Sequence, residues 1–300
     1  MVELVVVGSV ALDNIKTPLG EVSEALGGAA VYSSVAASFL TDVGVVGVIG
    51  KDFPNDYVEF LLERGICTKG LCTSNGRTFR WHGHYEGDMN NATTLKTELN
   101  AFATFDPELP DEYKKAKYVF LANIDPELQM RVIKQMENPK LIAMDTMNHW
   151  IEKDKQKVFD VIEMCDVLLI NSDEAKKLLD THNTIKAGKL LLKMGLKAVV
   201  IKKGEHGALL FTKEGVFSAP AFPLDDVKDP TGAGDSFAGG FMGWLAKTDD
   251  LSFDNLKRAM ICATAVASYN AEGFGVDNLK KISYEDIEGR CEELKELVNF

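Results

Sequence analysis

A glycine-rich turn that carries an aspartate is the strongest chemical signal in this sequence of 300 residues. Residues 229–241 read DPTGAGDSFAGGF, and apolar residues recur four, seven and eight positions after Phe237, so a helix should begin at the turn. The first amides of a helix have no partner within it, and the small residues of this turn would let an anion approach them. We therefore predict an anion site beside Asp235. A carboxylate that only stabilises the helix N-terminus is the alternative that this pattern leaves open.

Further polar side chains follow predicted strands, at the edge where open α/β sheets bind ligands. Asp13 comes after the first apolar run, and Asn123 and Asp145 come after two later ones. Carboxylate and amide groups at such positions can hold the hydroxyl groups of a small polar ligand. Asn171 and Glu174 also follow a strand, although an ordinary helix start would explain them as well.

The elements that must position these residues are visible as apolar runs of strand length. The runs are continuous rather than alternating, as expected for a parallel sheet that is covered on both faces. Amphipathic helical segments separate them, and the last of these begins with a capping box formed by Ser283 and Asp286. This alternation predicts a doubly wound, mainly parallel α/β sheet with right-handed crossovers. The predicted buried strands are 4–7, 43–49, 118–121, 141–144, 167–170 and 198–201.

Two segments interrupt this alternation and have the character of short strands instead. Residues 14–25 are polar and turn-like, and residues 68–105 show the period-two pattern of a half-buried strand, most clearly over 78–85. Together they predict a small antiparallel β-sheet that stands off the main domain as a lid. Its aromatic and polar residues, which continue to Asn90 and Asn91, could face a ligand or pack within the lid. The predicted large domain comprises residues 1–13, 26–67 and 106–300.

The bulk composition excludes several classes of protein. The formal net charge of −12 disfavours a nucleic-acid partner, because an acidic surface repels phosphates. The longest apolar runs are far too short to span a bilayer, and no basic segment precedes the first one. The 5 cysteines show no CxxC spacing, which argues against a structural zinc site and a disulfide framework. We expect a cytoplasmic protein without a membrane or nucleic-acid partner.

The stretch 229–242 resembles the C-terminal signature of the PfkB/ribokinase family of carbohydrate and nucleoside kinases at every constrained position. The resemblance extends over nearly the whole chain, in the order of that family's motifs. It implies a ribokinase-like doubly wound, mainly parallel sheet with a small antiparallel β lid. The other matching motifs are the segment 8–13, the pair Gly27–Gly28, the G-x-x-G-x-D segment 47–52, the N-x-x-E motif 171–174 and the K-G-x-x-G loop 203–207.

The resemblance also implies a reaction, which is transfer of the γ-phosphate of ATP to a hydroxyl of a small acceptor. Asp235 would be the general base that takes the proton of the acceptor hydroxyl. The backbone amides of Gly232, Ala233 and Gly234 would stabilise charge on the transferring phosphate. Positioning and fixed electrostatics are the two contributions that phosphoryl transfer mostly needs.

Cofactor sites follow from the same resemblance. Glu174, together with Asn171, would organise the shell of Mg²⁺, through water because this ion keeps several of its waters. Asp229 could belong to a loop that binds a monovalent cation such as K⁺. Lys203 is expected to contact the nucleotide, although both Lys203 and its neighbour Lys202 could be solvated surface charges instead. The residues expected to contact the nucleotide are Asn171, Lys203, Gly204, Gly207, Thr231 and Gly234.

The acceptor site is implied to lie around Asp13 and the glycine pair Gly27–Gly28. Family members that bind ribose usually carry asparagine four residues after the second glycine, where this chain has Tyr32. A ring with one hydroxyl replaces an amide there, which weakens the case for ribose and leaves a nucleoside, a cyclitol or another sugar. The residues expected to bind the acceptor are Asp13, Gly27, Gly28, Tyr32, Asn123, Asp145 and Asp235.

Two alternative functions remain open at this stage. One is a non-catalytic ligand sensor on a kinase fold, although the presence of Asp235, Asn171 and Glu174 favours catalysis. The other is a vitamin-type kinase of the same superfamily that acts on a hydroxymethyl heterocycle, against which the lid insertions argue. The chain lacks a G-x-x-x-x-G-K-[ST] motif, so a P-loop enzyme is disfavoured. An exposed edge of the lid could pair two copies into a homodimer.

Overall fold

Two β-sheets organise the chain. The computed structural model describes residues 2–87, 89 and 92–299. The strands in chain order are β1 (Leu4–Val7), β2 (Ala11–Thr17), β3 (Gly20–Gly27), β4 (Val43–Ile49), β5 (Cys67–Thr73), β6 (Phe79–Tyr85), β7 (Ala92–Glu98), β8 (Tyr118–Leu121), β9 (Leu141–Met144), β10 (Val167–Asn171), β11 (Ala198–Lys202), β12 (Ala208–Thr212) and β13 (Val216–Ala219).

The larger sheet has nine strands in the order β13-β12-β11-β10-β9-β8-β1-β4-β5. Each neighbouring pair from β11 to β5 is parallel, whereas β12 is antiparallel to both β11 and β13. The six strands predicted from apolar runs are all present, with bounds that agree within one residue. The predicted doubly wound, mainly parallel sheet is therefore confirmed.

The smaller sheet, which we call the lid, has the strand order β3-β2-β6-β7. Its outer pairs are antiparallel, and its central pair, β2 with β6, is parallel. Strand β5, which the sequence placed in the second lid segment, lies instead at the edge of the larger sheet beside β4. As an edge strand it is mostly exposed and carries polar residues, so its pattern resembles that of a lid strand. Asp88, Asn90 and Asn91 lie outside the described residues.

Helices cover both faces of the larger sheet. They are α1 (Ala29–Ala37), α2 (Asn55–Glu63), α3 (Pro126–Gln135), α4 (Asn148–Lys153), α5 (Lys155–Ile162), α6 (Ser172–Leu178), α7 (Thr184–Leu192), α8 (Ala233–Thr248), α9 (Phe253–Ala271) and α10 (Tyr284–Val298). Alternate side chains of β1 enter different cores, because Leu4 and Val6 pack with α1, α8 and α9, whereas Val5 and Val7 pack with α3 to α7. Among the described residues, no helix is both long and apolar enough to cross a membrane.

Helix α8 lies directly against α1 because two of its glycines face that helix. A β-carbon at Gly239 would lie 2.2 Å from the carbonyl oxygen of Ser33, and one at Gly243 would lie 3.0 Å from the Cα of Ala37. Any larger side chain at these positions would push the two helices apart, since protein cores have no spare volume. This close packing fixes where the N-terminus of α8 lies relative to the sheet.

Candidate active site

The glycine-rich turn, residues 229–235, leads into the 16-residue helix α8, as the sequence predicts. Gly232 precedes the first helical residue and has a φ of 73°, a left-handed conformation that favours glycine. A β-carbon at this position would lie 2.3 Å from the ring of Tyr32, so a larger residue would not fit. The turn therefore needs glycine both for its conformation and for its contact with α1.

The three predicted anion-binding amides are not equivalent. The amide of Ala233 donates a hydrogen bond to the carbonyl oxygen of Pro230 at 3.1 Å. Within the described part of the chain, no hydrogen bond engages the amides of Gly232 and Gly234. These two amides are consequently the ones that remain for an anion at the start of the helix.

Asp235 lies in the first turn of α8 and is partly exposed. Its pKa is raised to about 7, mainly by burial, with the charge of Asp145 adding to the rise and that of Lys202 opposing it. The hydroxyl of Ser33 donates to the backbone carbonyl of Asp235 at 3.0 Å, which ties this turn to α1. A carboxylate with a pKa near neutrality can accept and release a proton at physiological pH, as a general base must.

A buried ion pair lies beside Asp235. The ammonium nitrogen of Lys202 is 2.6 Å from Oδ2 of Asp145, and their side chains are 16% and 5% exposed. Burial on its own would lower the pKa of Lys202, but the negative charge of Asp145 and of two further carboxylates, Glu174 and Asp235, outweighs it and raises that pKa. The suggestion that Lys202 is a solvated surface charge is therefore wrong. The sequence did hold a signal, since Lys202 is the last residue of a buried strand whose end lies at the ligand-binding edge.

Asn171 and Glu174 form a capping box at the start of α6. The side-chain oxygen of Asn171 accepts from the amides of Asp173 and Glu174 at 3.0 and 2.9 Å, and Oε2 of Glu174 accepts from the amide of Asn171 at 3.0 Å. Glu174 is buried, and its pKa is raised to about 8 by burial first and by Asp145 second, while Lys202 opposes the rise. The ordinary helix start is thus present, and the magnesium role of Glu174 and Asn171 stays a prediction.

The donor set near Glu174 fits a magnesium ion that keeps most of its waters. No cluster of three or more histidine, cysteine or acidic side chains in the described ranges could enclose a metal. The capping box occupies the amide oxygen of Asn171 but leaves Oε1 of Glu174 outside it. A single carboxylate that acts with phosphate oxygens and water is the usual protein contribution to Mg²⁺ binding.

Asp13, which is predicted to bind the acceptor, lies in β2 of the lid. It is 3% exposed, and the hydroxyl of Tyr32 donates to its Oδ2 at 3.3 Å. A β-carbon at Gly27 would lie 1.9 Å from that same oxygen, so glycine leaves the room that the carboxylate occupies. Gly28 has a φ of 94° and begins α1 against the backbone of Ser9. The pKa of Asp13 is raised to about 7, mainly by burial, although the hydrogen bond from Tyr32 lowers it.

Tyr32 connects the two halves of this arrangement. Its hydroxyl bonds Asp13, and its ring lies against Gly232. The residues predicted for the acceptor, in β2 of the lid, and those predicted for the phosphate, at the start of α8, therefore lie together on either side of Tyr32.

Comparison with known proteins assigns the chain to a family. Residues 1–282 match the family described as pfkB family carbohydrate kinase. The chain belongs to the PfkB family of carbohydrate kinases. It is 29% identical over 254 residues to a cytidine kinase of Thermococcus kodakarensis, which covers 82% of this chain and 90% of the relative. It is 26% identical over 251 residues to a nucleoside kinase of Methanocaldococcus jannaschii, which covers 83% of this chain and 80% of the relative.

Several solved structures share the fold of this chain. The nucleoside kinase of Methanocaldococcus jannaschii has a TM-score of 0.79 at 24% identity and covers 97% of this chain and 98% of that one. The nucleoside kinase of Burkholderia thailandensis, in complex with inosine, has a TM-score of 0.77 at 20% identity, with coverage of 97% and 98%. A double mutant of the fructokinase of Vibrio cholerae O395, bound to fructose, ADP and potassium, has a TM-score of 0.82 at 18% identity, with coverage of 97% and 98%. The predicted ribokinase-like fold and kinase class are confirmed.

In this PfkB kinase, Asp229 joins the glycine-rich turn to the segment that follows α9. It is fully buried, and its carboxylate accepts from the amide of Thr231 at 2.9 Å and from that of Gly275 at 3.1 Å. Asn270 donates to the carbonyl oxygen of Thr231 at 2.8 Å and completes the link. Burial raises the pKa of Asp229. A cation near this carboxylate would offset the cost of burying its charge.

The lid reaches the glycine-rich turn through Tyr85, which the sequence reasoning did not single out as a site residue. The hydroxyl of Thr231 donates to the phenol oxygen of Tyr85 at 3.1 Å. Tyr85 is 7% exposed, and burial raises its pKa. Its position at the end of an alternating strand was visible in the sequence, but its partner 146 residues away was not.

Asn123 does not join the cluster around Asp235. Its Oδ1 accepts from the indole nitrogen of Trp150 at 2.9 Å, and its amide nitrogen lies 3.0 Å from the sulfur of Met147. Both polar ends of the side chain thus hold the start of α4. Its predicted role in acceptor binding stays a prediction.

The predicted nucleotide loop follows Lys202 directly. Gly204 and Gly207 have φ values of 55° and 75°, and the amide of Lys203 donates to the carbonyl oxygen of Gly207 at 2.8 Å. A β-carbon at Gly207 would lie 2.1 Å from the carbonyl oxygen of Ala219, so the loop lies tightly against the end of β13. Nucleotide contact by Lys203, Gly204 and Gly207 stays a prediction.

The G-x-x-G-x-D segment holds the lid through a buried arginine. Arg80 of β6 is 5% exposed and binds Glu24 of β3 at 2.6 Å and Asp52 at 2.8 Å. Asp52 also accepts from the amide of Thr78 at 2.7 Å. This motif therefore joins the larger sheet to the lid rather than lining the cluster around Asp235.

Proposed function

We propose that this PfkB kinase transfers the γ-phosphate of ATP to a hydroxyl of a nucleoside, with Asp235 as the general base. The observation that carries the proposal is the position of Asp235 in the first turn of α8, with a pKa of about 7 and with Lys202 and Asp145 beside it. A nucleoside is favoured over a free sugar or a cyclitol because the similar proteins named above include a cytidine kinase and nucleoside kinases.

Acceptor binding would use Asp13 and Tyr32. The carboxylate of Asp13 offers hydrogen-bond acceptors to the hydroxyl groups of a sugar ring. The hydroxyl of Tyr32 already donates to this carboxylate and orients it. Because Gly27 has no side chain, the carboxylate of Asp13 can occupy the space beside it.

The chemical step needs one proton transfer and one phosphoryl transfer. Asp235 would take the proton of the acceptor hydroxyl while the oxygen of that hydroxyl forms a bond to the γ-phosphorus. The bond from the γ-phosphorus to the bridging oxygen would break at the same time, and ADP would leave. The amides of Gly232 and Gly234 would donate to the oxygens of the transferring group. These donors are fixed by the helix, so no reorganisation is needed during the reaction.

Cations would complete the site. Glu174 would hold waters of a magnesium ion, which when bound neutralises charge on the phosphates. Potassium beside Asp229 is a further part of the proposal, supported by the burial of that carboxylate and by the potassium-bound fructokinase of similar fold. The bond between Thr231 and Tyr85 would keep the lid over the acceptor and limit access of water.

The test compares Asp235→Asn with the wild-type protein. ADP formation is measured with ATP, Mg²⁺ and a panel of cytidine, inosine, ribose, fructose and myo-inositol. The variant should lose at least about 10³-fold in turnover with the best acceptor, while nucleotide still binds, because the base is missing from an otherwise intact site.

Asp254→Asn is the matched control. Asp254 also lies in the first turn of a helix, α9, but it is exposed and pairs with Lys257. If Asp235 only stabilised its helix, the two substitutions would have similarly small effects. Turnover near the wild-type level in Asp235→Asn would overturn the assignment of the base.

A further inference from the structure

We propose that Lys202 is a catalytic residue whose ammonium group contacts the phosphoryl group during its transfer. The inference rests on the proposed function, because it assigns a role at the same site. It goes beyond that function in naming the cation that this chain itself supplies. The argument depends on where Lys202 lies, on what surrounds it and on how many of its donors are used.

The position of Lys202 brings its charge to the start of α8. It ends β11, and a β-carbon at Gly234 would lie 3.3 Å from its ammonium nitrogen. The ammonium group is therefore packed against the residue whose amide points to the proposed phosphate position. An anion bound by that amide would also lie next to the charge of Lys202.

The surroundings of Lys202 are strongly acidic. Asp145 bonds it directly, and the charges of Glu174 and Asp235 also act on it. Without Lys202, a phosphate that carries several negative charges would meet these carboxylates with only the helix amides and the proposed magnesium ion to offset the repulsion. The cation thus makes the site electrostatically suitable for the anionic substrate as well as for its own acidic neighbours.

The hydrogen bonds of Lys202 leave capacity for a ligand. An ammonium group has three donors, and its bond to Asp145 uses one. A lysine that served only to neutralise Asp145 could be replaced by an apolar pair, since isolated buried ion pairs add little stability. A point charge with further donors, held at a fixed place, is instead what phosphate recognition requires.

The role differs from that of Asp235. Lys202 stays protonated throughout, and its N–H groups donate to non-bridging oxygens of the transferring group. The proton of the acceptor hydroxyl goes to Asp235 and not to Lys202. Asp145 holds the ammonium group by its Oδ2 and acts as a positioning residue.

The experiment compares Lys202→Met with the wild-type protein in two binding measurements. Isothermal titration gives the affinity for β,γ-methylene ATP and for ADP, both with Mg²⁺ and without acceptor. Lys202→Met should weaken the binding of the ATP analogue by roughly 10- to 100-fold, because a charge-assisted contact to the terminal phosphate is lost. The binding of ADP should weaken much less. In the kinase assay kcat should fall by about 10²- to 10³-fold with a smaller change in the KM of the acceptor.

Lys197→Met is the matched control. Lys197 lies just before the other end of β11 and pairs with Asp166 at 2.9 Å, so the substitution removes the same charge and an ion pair that is more exposed. This variant should keep the wild-type preference for the ATP analogue over ADP. Lys202→Arg, which retains the charge, should recover part of the lost kcat.

An unchanged ratio of the two affinities in Lys202→Met, with kcat near the wild-type value, would show that Lys202 only balances charge. If Lys202→Met does not fold, the double variant Lys202→Met/Asp145→Asn removes both charges of the ion pair. The ratio of its affinities for the ATP analogue and for ADP then decides whether Lys202 contacts the phosphate. The outcome is independent of the base, because binding of the analogue requires no proton transfer. Loss of analogue binding in Lys202→Met with full activity in Asp235→Asn would retain Lys202 and reject the proposed base.

Discussion

At the scale of single residues, Asp235 combines the position proposed for the base with an environment that disfavours its negative charge. An ordinary aspartate has a pKa near 3.8, whereas that of Asp235 is about 7, chiefly because of burial. Between these two values the folded protein binds a proton that the unfolded chain releases. The contribution of Asp235 to folding stability therefore falls as the pH rises through this window. Asp13, whose pKa is also about 7 because of burial, acts in the same direction.

This environment predicts that Asp235→Asn stabilises the ligand-free protein while it removes activity. At about pH 8 the gain in the free energy of unfolding should be on the order of 1–3 kcal/mol, because the neutral amide carries no desolvation cost for a charge. At about pH 5 the gain should be smaller, since the wild-type carboxyl is then protonated. Urea unfolding at both pH values measures the difference. A gain that is the same at both would contradict a raised pKa.

The sequence predicted the carboxylates of the site better than their neighbours. Asp13, Asp235 and Glu174 follow from motif spacing, which is local in the chain. Lys202 was missed because its importance comes from Asp145, which lies 57 residues away. Spacing along the chain carries no information about such a partner until the order of strands in the sheet is known.

At the scale of elements, the position of α8 depends on glycines that let it approach α1. The sequence predicted where this helix begins from its apolar periodicity, and the six buried strands from their continuous apolar runs. It gave no assignment to β12 and β13, which are short and pair antiparallel at the far edge of the sheet. It also placed β5 in the lid, because both an edge strand and a lid strand carry polar residues that are not buried.

Gly239→Ala tests this dependence of α8 on close packing. The added methyl group would lie 2.2 Å from the carbonyl oxygen of Ser33, so α8 must shift away from α1. We expect a loss of about 1–3 kcal/mol in the free energy of unfolding, as for other overpacked cores. Turnover should fall as well, because the same shift displaces the first turn of α8.

Gly289→Ala is the control for helix propensity. Gly289 lies inside α10, and a β-carbon there would meet nothing within 4 Å. Alanine should stabilise this position by about 0.5–1 kcal/mol, because glycine is a poor helix former. If both substitutions stabilised the protein in urea unfolding, the contact between α8 and α1 would not restrict the size of the side chain at residue 239.

At the scale of the whole molecule, β6 of the lid contacts the larger domain through two side chains that bear on the proposed site. Arg80 links β6 and β3 to the G-x-x-G-x-D segment, and Tyr85 links β6 to the glycine-rich turn. The first contact holds the base of the lid, and the second lies over the proposed site. The domain division stays a prediction. A cytoplasmic location and a dimer through the lid also stay predictions, because they depend on surroundings that one chain does not contain.

Tyr85→Phe separates lid closure from chemistry. It removes the bond to Thr231 and keeps the ring, so Asp235 and Lys202 are untouched. If this bond holds the lid closed, water should reach the phosphate more often, and ADP release should exceed phosphorylated acceptor by roughly 2- to 10-fold. Parallel assays of ADP and of phosphorylated nucleoside measure this ratio. Tyr118→Phe, which removes a phenol bond to Asp249 at the opposite end of β8, should leave the ratio near one. If the ratio of ADP to phosphorylated nucleoside is also near one in Tyr85→Phe, the lid excludes water without this hydrogen bond. Arg80 at the base of the lid would then be the contact that holds the lid closed.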